Sequence, residues 1–174
     1  SASDIAHGVA VHSSSSSIYV TGETRGGLDN NTNSGDKDIF LVKYNSSGTK
    51  QWTRQLGTSA SDIAHGVAVH SDDYIYVTGE TRGGLDNNTN SGDKDIFLVK
   101  YNASGDRQWT RQLGTSSEDV GYGVAVDSSG NIFVTGSTSA SLDSQTHSGN
   151  SDIFLVKYFD NGTKDWTKQL GTSS

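Results

Sequence analysis

Trp52, Trp109 and Trp166 stand 57 residues apart, and aligning the chain on them brings nearly every other residue into register. The 174 residues therefore divide into three copies of one unit, 1–58, 59–115 and 116–174. Each copy presents the same phrases in the same order. Gly-Val-Ala-Val stands at 8–11, 66–69 and 123–126, and Ile-Tyr-Val-Thr-Gly at 18–22 and 75–79 is answered by Ile-Phe-Val-Thr-Gly at 132–136. Asp-Ile-Phe-Leu-Val-Lys-Tyr follows from Asp38, Asp95 and Asp152, and Trp-Thr-Arg/Lys-Gln-Leu-Gly-Thr from each tryptophan. A chain like this can only adopt a fold that one short unit builds by repetition.

Each phrase is strand-sized, so each unit holds four strands. In the second, Ile18 and Val20 alternate with Tyr19 and Thr21. In the fourth, Trp52 and Leu56 share a face opposite Thr53 and Gln55. The third, Ile39-Phe40-Leu41-Val42, is apolar on both faces and is expected to lie between two sheets. Turn residues join the third strand to the fourth at Asn45-Ser46-Ser47-Gly48, Asn102-Ala103-Ser104-Gly105 and Asp160-Asn161-Gly162. The expected class is all-β, built of tandem four-stranded antiparallel β-propeller blades, because one such sheet cannot bury both faces alone. A sandwich of tandem hairpins and a β-solenoid are the competing arrangements.

These phrases, with Asp-x-Ala-x-Gly-Val-Ala-Val and Tyr-Val-Thr-Gly, resemble the SBBP family, named for the seven-bladed β-propeller, over essentially the whole chain. The resemblance implies a place in large prokaryotic secreted or surface proteins, hence an extracellular or cell-surface location. It carries over no catalytic residue.

Three blades do not close a ring, since propellers use roughly four or more. Either further blades lie outside this sequence or separate copies associate. The family phrase also admits a second phasing, in which a blade is the last two strands of one unit and the first two of the next. The chain would then hold two whole blades and two complementary half blades, near Val9–Thr24 and Asp152–Leu170, able to join head to tail into a six-bladed ring or a fibre. Methionine is absent, even at position 1, as expected of a processed, excised or partial chain.

Composition narrows the partners. A net charge of −7 repels a phosphate backbone, so nucleic acid is not expected, and no apolar run is long enough to insert in a bilayer. There is no cysteine, so disulfides and thiolate metal sites are excluded.

The loop that most resembles a ligand site carries Asp29, Asn31, Asn33, Asp36 and Asp38, repeated as Asp86, Asn88, Asn90, Asp93 and Asp95. Hard oxygen donors at this spacing suit Ca²⁺, although Gly35 and Asp38 do not fall where an EF-hand would put its glycine and its bidentate glutamate. The third copy reads Asp143, Gln145, His147, Asn150 and Asp152, a weaker set. The same residues are also ordinary turn formers. Sequons at Asn30, Asn45, Asn87, Asn102 and Asn161 lie in expected turns where a glycan has room. His7 and His12, with counterparts His65 and His70, become Tyr122 and Asp127 in the third copy, the pattern of tolerated surface positions.

No catalytic asymmetry is present: Asp4, Asp62 and Asp119 sit at equivalent places, as do the serines around them. The expectation is therefore a non-catalytic structural or interaction scaffold. A lectin-like propeller that presents its loops to glycans, and a part of a larger secreted enzyme, are the alternatives.

Overall fold

Four apolar phrases per repeat become four strands. The computed structural model describes residues 3–173. The first repeat forms β1 (Asp4–Val11), β2 (Ile18–Thr24), β3 (Asp38–Tyr44) and β4 (Lys50–Leu56). The second forms β5 (Asp62–Val69), β6 (Ile75–Thr81), β7 (Asp95–Tyr101) and β8 (Arg107–Leu113). The third forms β9 (Asp119–Val126), β10 (Ile132–Thr138), β11 (Asp152–Tyr158) and β12 (Lys164–Leu170). Each set is one antiparallel meander, hydrogen-bonded in chain order.

The sheets therefore coincide with the repeats. All three are complete, and the alternative phasing with a half blade at each end does not occur. Its physical reason is the loop between the second and third strands. Although 13 residues long, Arg25–Lys37 returns β3 directly alongside β2, with Thr24 opposite Asp38 and Ile18 opposite Tyr44.

The blades stack through their faces and come closest along the first strands β1, β5 and β9. Ile39, Leu41 and Leu56 of the first blade pack on Ala64, Ile75, Val77, Phe97 and Val99 of the second. On its other face the second blade sends Ile96 and Leu98 against Ile132, Val134, Phe154 and Val156 of the third. Strand β7 is buried throughout, as its two-sided apolar sequence requires. Each fully buried side chain of this size stabilises by about 1.5–3 kcal/mol. The identical β11 is buried on one face only, because no fourth blade covers the other.

Polar clasps lock each seam at the outer edge. Arg54 Nε donates to the Gly105 carbonyl at 2.9 Å and Nη2 to Ser104 at 2.7 Å, while Trp52 Nε1 donates to Ala103 at 3.3 Å. At the next seam Arg111 donates to Gly162 at 2.9 Å and to Asn161 at 3.2 Å, and Trp109 to Asp160 at 3.2 Å. Near the inner edge the Asp62 amide donates to the Lys37 carbonyl and the Asp119 amide to that of Lys94, each at 2.9 Å.

Candidate functional site

The first two strands of each blade pair with one extra residue on the first. The register slips between Ala6 and Gly8 in β1 and between Ala64 and Gly66 in β5, and in β9 it passes from Gly121 to Gly123. The bulged residues are therefore His7, His65 and Tyr122. A bulge re-aims its side chain, and here it turns three rings into one ladder across the blades. The His7 and His65 centroids are 5.4 Å apart and those of His65 and Tyr122 are 5.5 Å apart, tilted by 53° and 50°.

Charges flank the ladder. His7 Nε2 lies 3.9 Å from Glu23 and Lys37 Nζ lies 2.9 Å from the same carboxylate. The second blade repeats this with His65 at 3.8 Å and Lys94 at 3.3 Å from Glu80. Burial works to raise the Glu80 carboxyl, but the neighbouring His65 ring and Lys94 ammonium outweigh it and hold the group below the ordinary glutamate range. The third blade has Tyr122, Ser137 and Ser151 in these places, so the His-Glu-Lys trio ends there. Alignment by spacing could not reveal the ladder, since a one-residue bulge is invisible in a strand pattern. Of the four paired histidines His7 is a surface position as expected, but His12 and His70 are buried, and His12 Nε2 lies 3.3 Å from the Ser71 carbonyl oxygen of the next blade.

The Asp- and Asn-rich loops tie their side chains to nearby strands and turns, and only Asn33 with Asp38, and Asn90 with Asp95, share a partner, Gln55 or Gln112. Asp29, held at a positive φ of 49°, is paired with Lys50 and accepts from Thr53, and these bonds lower its pKa. Asp86 repeats this with Arg107 at 2.8 Å and Thr110. Asn31 and Asn88 donate to the Leu28 and Leu85 carbonyls at 2.7 Å, and Asn33 and Asn90 donate to those of Gly35 and Gly92. Asp36 accepts from Ser61 and pairs with Arg25, and Asp93 pairs with Arg82.

Asp38 and Asp95 are buried at the strand start. Each Oδ2 accepts from a backbone amide, Ser34 or Ser91, and from a glutamine, Gln55 or Gln112. Their Oδ1 atoms have no hydrogen-bond partner, nor does that of Asp152. They press on Gly57, Gly114 and Gly171, where a Cβ would stand 2.1, 2.1 and 1.7 Å away. No group of three or more His, Asp or Glu side chains converges as a metal centre among the described residues.

The sequons lie in turns. Asn45 Oδ1 accepts from the Ser47 and Thr49 amides, Asn102 Oδ1 from those of Ser104 and Asp106, and Asn161 Oδ1 from that of Thr163. Asn30 and Asn87 are exposed at φ of 65° and 64°.

Among the described residues, the ends of the array carry the most exposed of the large apolar side chains. On the first blade Val9 and Val11 are 66% and 59% exposed, although their counterparts Val67 and Val69 pack into the first seam. On the third blade Ile153 and Leu170 are 62% and 69% exposed, although Ile39 and Leu56 at the same positions are buried.

Two curated proteins are similar to this chain over most of its length. The chain is 28% identical to the regulatory protein FlaEY of Caulobacter vibrioides over 90% of its own length. It is 29% identical to an uncharacterised WD repeat-containing protein of Acanthamoeba polyphaga mimivirus over 83%. It spans only 19% and 12% of those proteins. Residues 51–86 and 108–143 match the SBBP beta-propeller repeat. Each match runs from the fourth strand of one blade through the first two of the next, crossing a seam in the same place. The three blades are thus copies of one unit, and the two stretches that cross their seams match the SBBP beta-propeller repeat.

Proposed function

We propose that this chain is a non-catalytic extracellular scaffold, a run of propeller blades completed either by copies of itself or by further blades. The observation that carries the reading is the exposure of Val9, Val11, Ile153 and Leu170 at positions that inside the array are packed between blades. An open face of this kind is an interaction surface rather than a solvent surface. The polar groups nearest to a catalytic pattern support the same reading. Asp4, Asp62 and Asp119 each accept a hydrogen bond from the threonine that ends the second strand, Thr24, Thr81 or Thr138. They hold the start of one strand to the end of its neighbour and are equivalent in all three blades. The extracellular setting rests on the repeat family.

Electron microscopy of the purified chain, with mass measurement in solution, tests the proposal. Rings or filaments are expected. A monomer that binds a glycan saturably in a glycan-array measurement would replace the scaffold with a lectin.

A further inference from the structure

We infer that the two end faces of the array fit each other, so that the first blade of a second copy docks on the third blade of the first in the register of the internal seams. The inference rests on the scaffold reading and names its partner. Inside the array the first strand of one blade lies across the first, second and third strands of the blade before. Two grooves on the third blade mark the face that no next blade covers. One, of about 290 Å³, lies among Thr135, Ile153, Leu155 and Leu170. In the first seam the equivalent space beside Ile39 is filled by Ala64 of the next blade, which is fully buried there. The register assigns this groove to Ala6 and Val9 of the second copy, the counterparts of Ala64 and Val67.

The second groove, of about 340 Å³, is bounded by Ser151, Ile153 and Thr172. Ser151 occupies the place of Lys37 and Lys94, which form parallel bridges with Ser61 and Glu118. By the same register it receives Ser3 and the exposed Ile5 of the second copy.

The polar clasp has both of its halves as well. The guanidiniums of Arg54 and Arg111 lie over Gly105 and Gly162, with nitrogens 3.0 and 2.9 Å from where a Cβ would stand. At Gly48, the same turn in the first blade, nothing lies within 4 Å. Lys168 holds the arginine position on the opposite face and supplies a donor for the Ser47 and Gly48 carbonyls.

A head-to-tail contact closes when its rotation allows. Two copies give six blades, the one multiple of three within the roughly four to eight with which propellers ordinarily close. The closed assembly has two identical seams and no open face.

The test is sedimentation of the purified chain, its face variants and their mixture, with far-UV circular dichroism confirming that each variant is folded. The wild-type chain is expected at twice its 18.4 kDa mass. Val9→Lys/Val11→Lys on one face, and Ile153→Lys/Leu170→Lys on the other, are each expected to be monomeric alone. Mixed in equal amounts they should form a heterodimer through the one seam still intact. Dimers of either variant alone would mean like-to-like pairing or another surface, and would overturn the inference. Filaments abolished by the same substitutions would support the docking and overturn the closure. A monomeric wild type, beside a tandem fusion of two copies that forms a ring, would overturn the second copy as partner and leave the scaffold reading standing. If neither assembles, both fall.

Discussion

The ammonium of Lys100, on the third strand of the middle blade, lies 2.5 Å from the Asp160 carboxylate on the turn of the next blade. Tyr76 Oη donates to the same oxygen at 2.8 Å, and the ammonium sits 3.7 Å from the Tyr74 ring centroid. Lys100 is buried, and Asp160 is its ion-pair partner. The first seam has Ala103 in the place of Asp160, and there Lys43 reaches only a carbonyl oxygen, at 3.3 Å.

Asp160→Asn is therefore expected to destabilise the third blade at neutral pH by an amount in the lower part of roughly 1.5–3 kcal/mol. The lower part applies because the carboxylate itself is more than half exposed and screened. Burial works to raise the Asp160 pKa, but hydrogen bonds from Lys100 and Tyr76 and the Lys100 charge bring it below the usual carboxylate range. A depressed carboxylate pKa contributes stability that is complete above the unfolded value, about 3.9, and is lost as pH falls through the folded one. The gap in melting temperature between wild type and variant should thus be full near neutrality and close below about pH 4. Asp62 and Asp95, raised by burial, act with the opposite sign, so the difference between the two proteins, not the wild-type curve alone, is the quantity to read.

Two glycine positions should each lose stability on replacement by alanine, for different reasons. At Gly79 a Cβ would lie 1.9 Å from the Ile63 carbonyl oxygen and 2.8 Å from the Phe97 ring, so Gly79→Ala should cost at least about 1–3 kcal/mol. Gly48 has open space and only its positive φ of 79° against it, for a cost of about 1–2 kcal/mol from the left-handed backbone. Denaturant melts of the two variants would separate steric exclusion from backbone preference. Equal and negligible losses would mean that the tight pairing of β5 and β6 is misassigned.

The ring ladder predicts its own conservative substitution. Tyr122 occupies in the third blade the bulge that His65 occupies in the second, so His65→Tyr should keep the ring contacts and change stability by less than about 0.5 kcal/mol. His65→Ala should lose roughly 0.5–1.5 kcal/mol of ring packing on both neighbours. Denaturant midpoints at neutral pH read the difference. Equal effects would show that the bulge, and not the ring, matters.

Chelation is expected to leave the melting curve unchanged. The Asp29 and Asp86 carboxylates are held by Lys50 and Arg107, and Asp36 and Asp93 by Arg25 and Arg82. A calcium ion would have to displace these cations. Scanning calorimetry with excess calcium and then with chelator checks this, and a clear upward shift in calcium would assign the loops a ligand role.

How much was legible in the sequence can be judged strand by strand. The 57-residue period and the two kinds of apolar pattern located all twelve strands, and β7 is buried on both faces as Ile96-Phe97-Leu98-Val99 requires. The loop carboxylates were visible as a set of oxygens, but their basic partners come from neighbouring strands and turns, which one-dimensional spacing does not report. The ring ladder was hidden because two histidines on different blades are 58 residues apart in the chain and meet only through a bulge.

The amino-acid sequence by itself determined that the chain is a three-fold repeat of four-stranded blades, because strand pattern and turn chemistry are local and act residue by residue. Where one blade ends and the next begins was decided only by the tertiary structure. The repeat is cyclic in sequence, so either phasing satisfies the pattern, and hydrogen bonding of β3 to β2 selects one of them. Which apolar faces remain open was likewise a matter of tertiary structure. Ile96 and Ile153 stand in identical strands, and only the presence of a neighbouring blade buries one and leaves the other exposed.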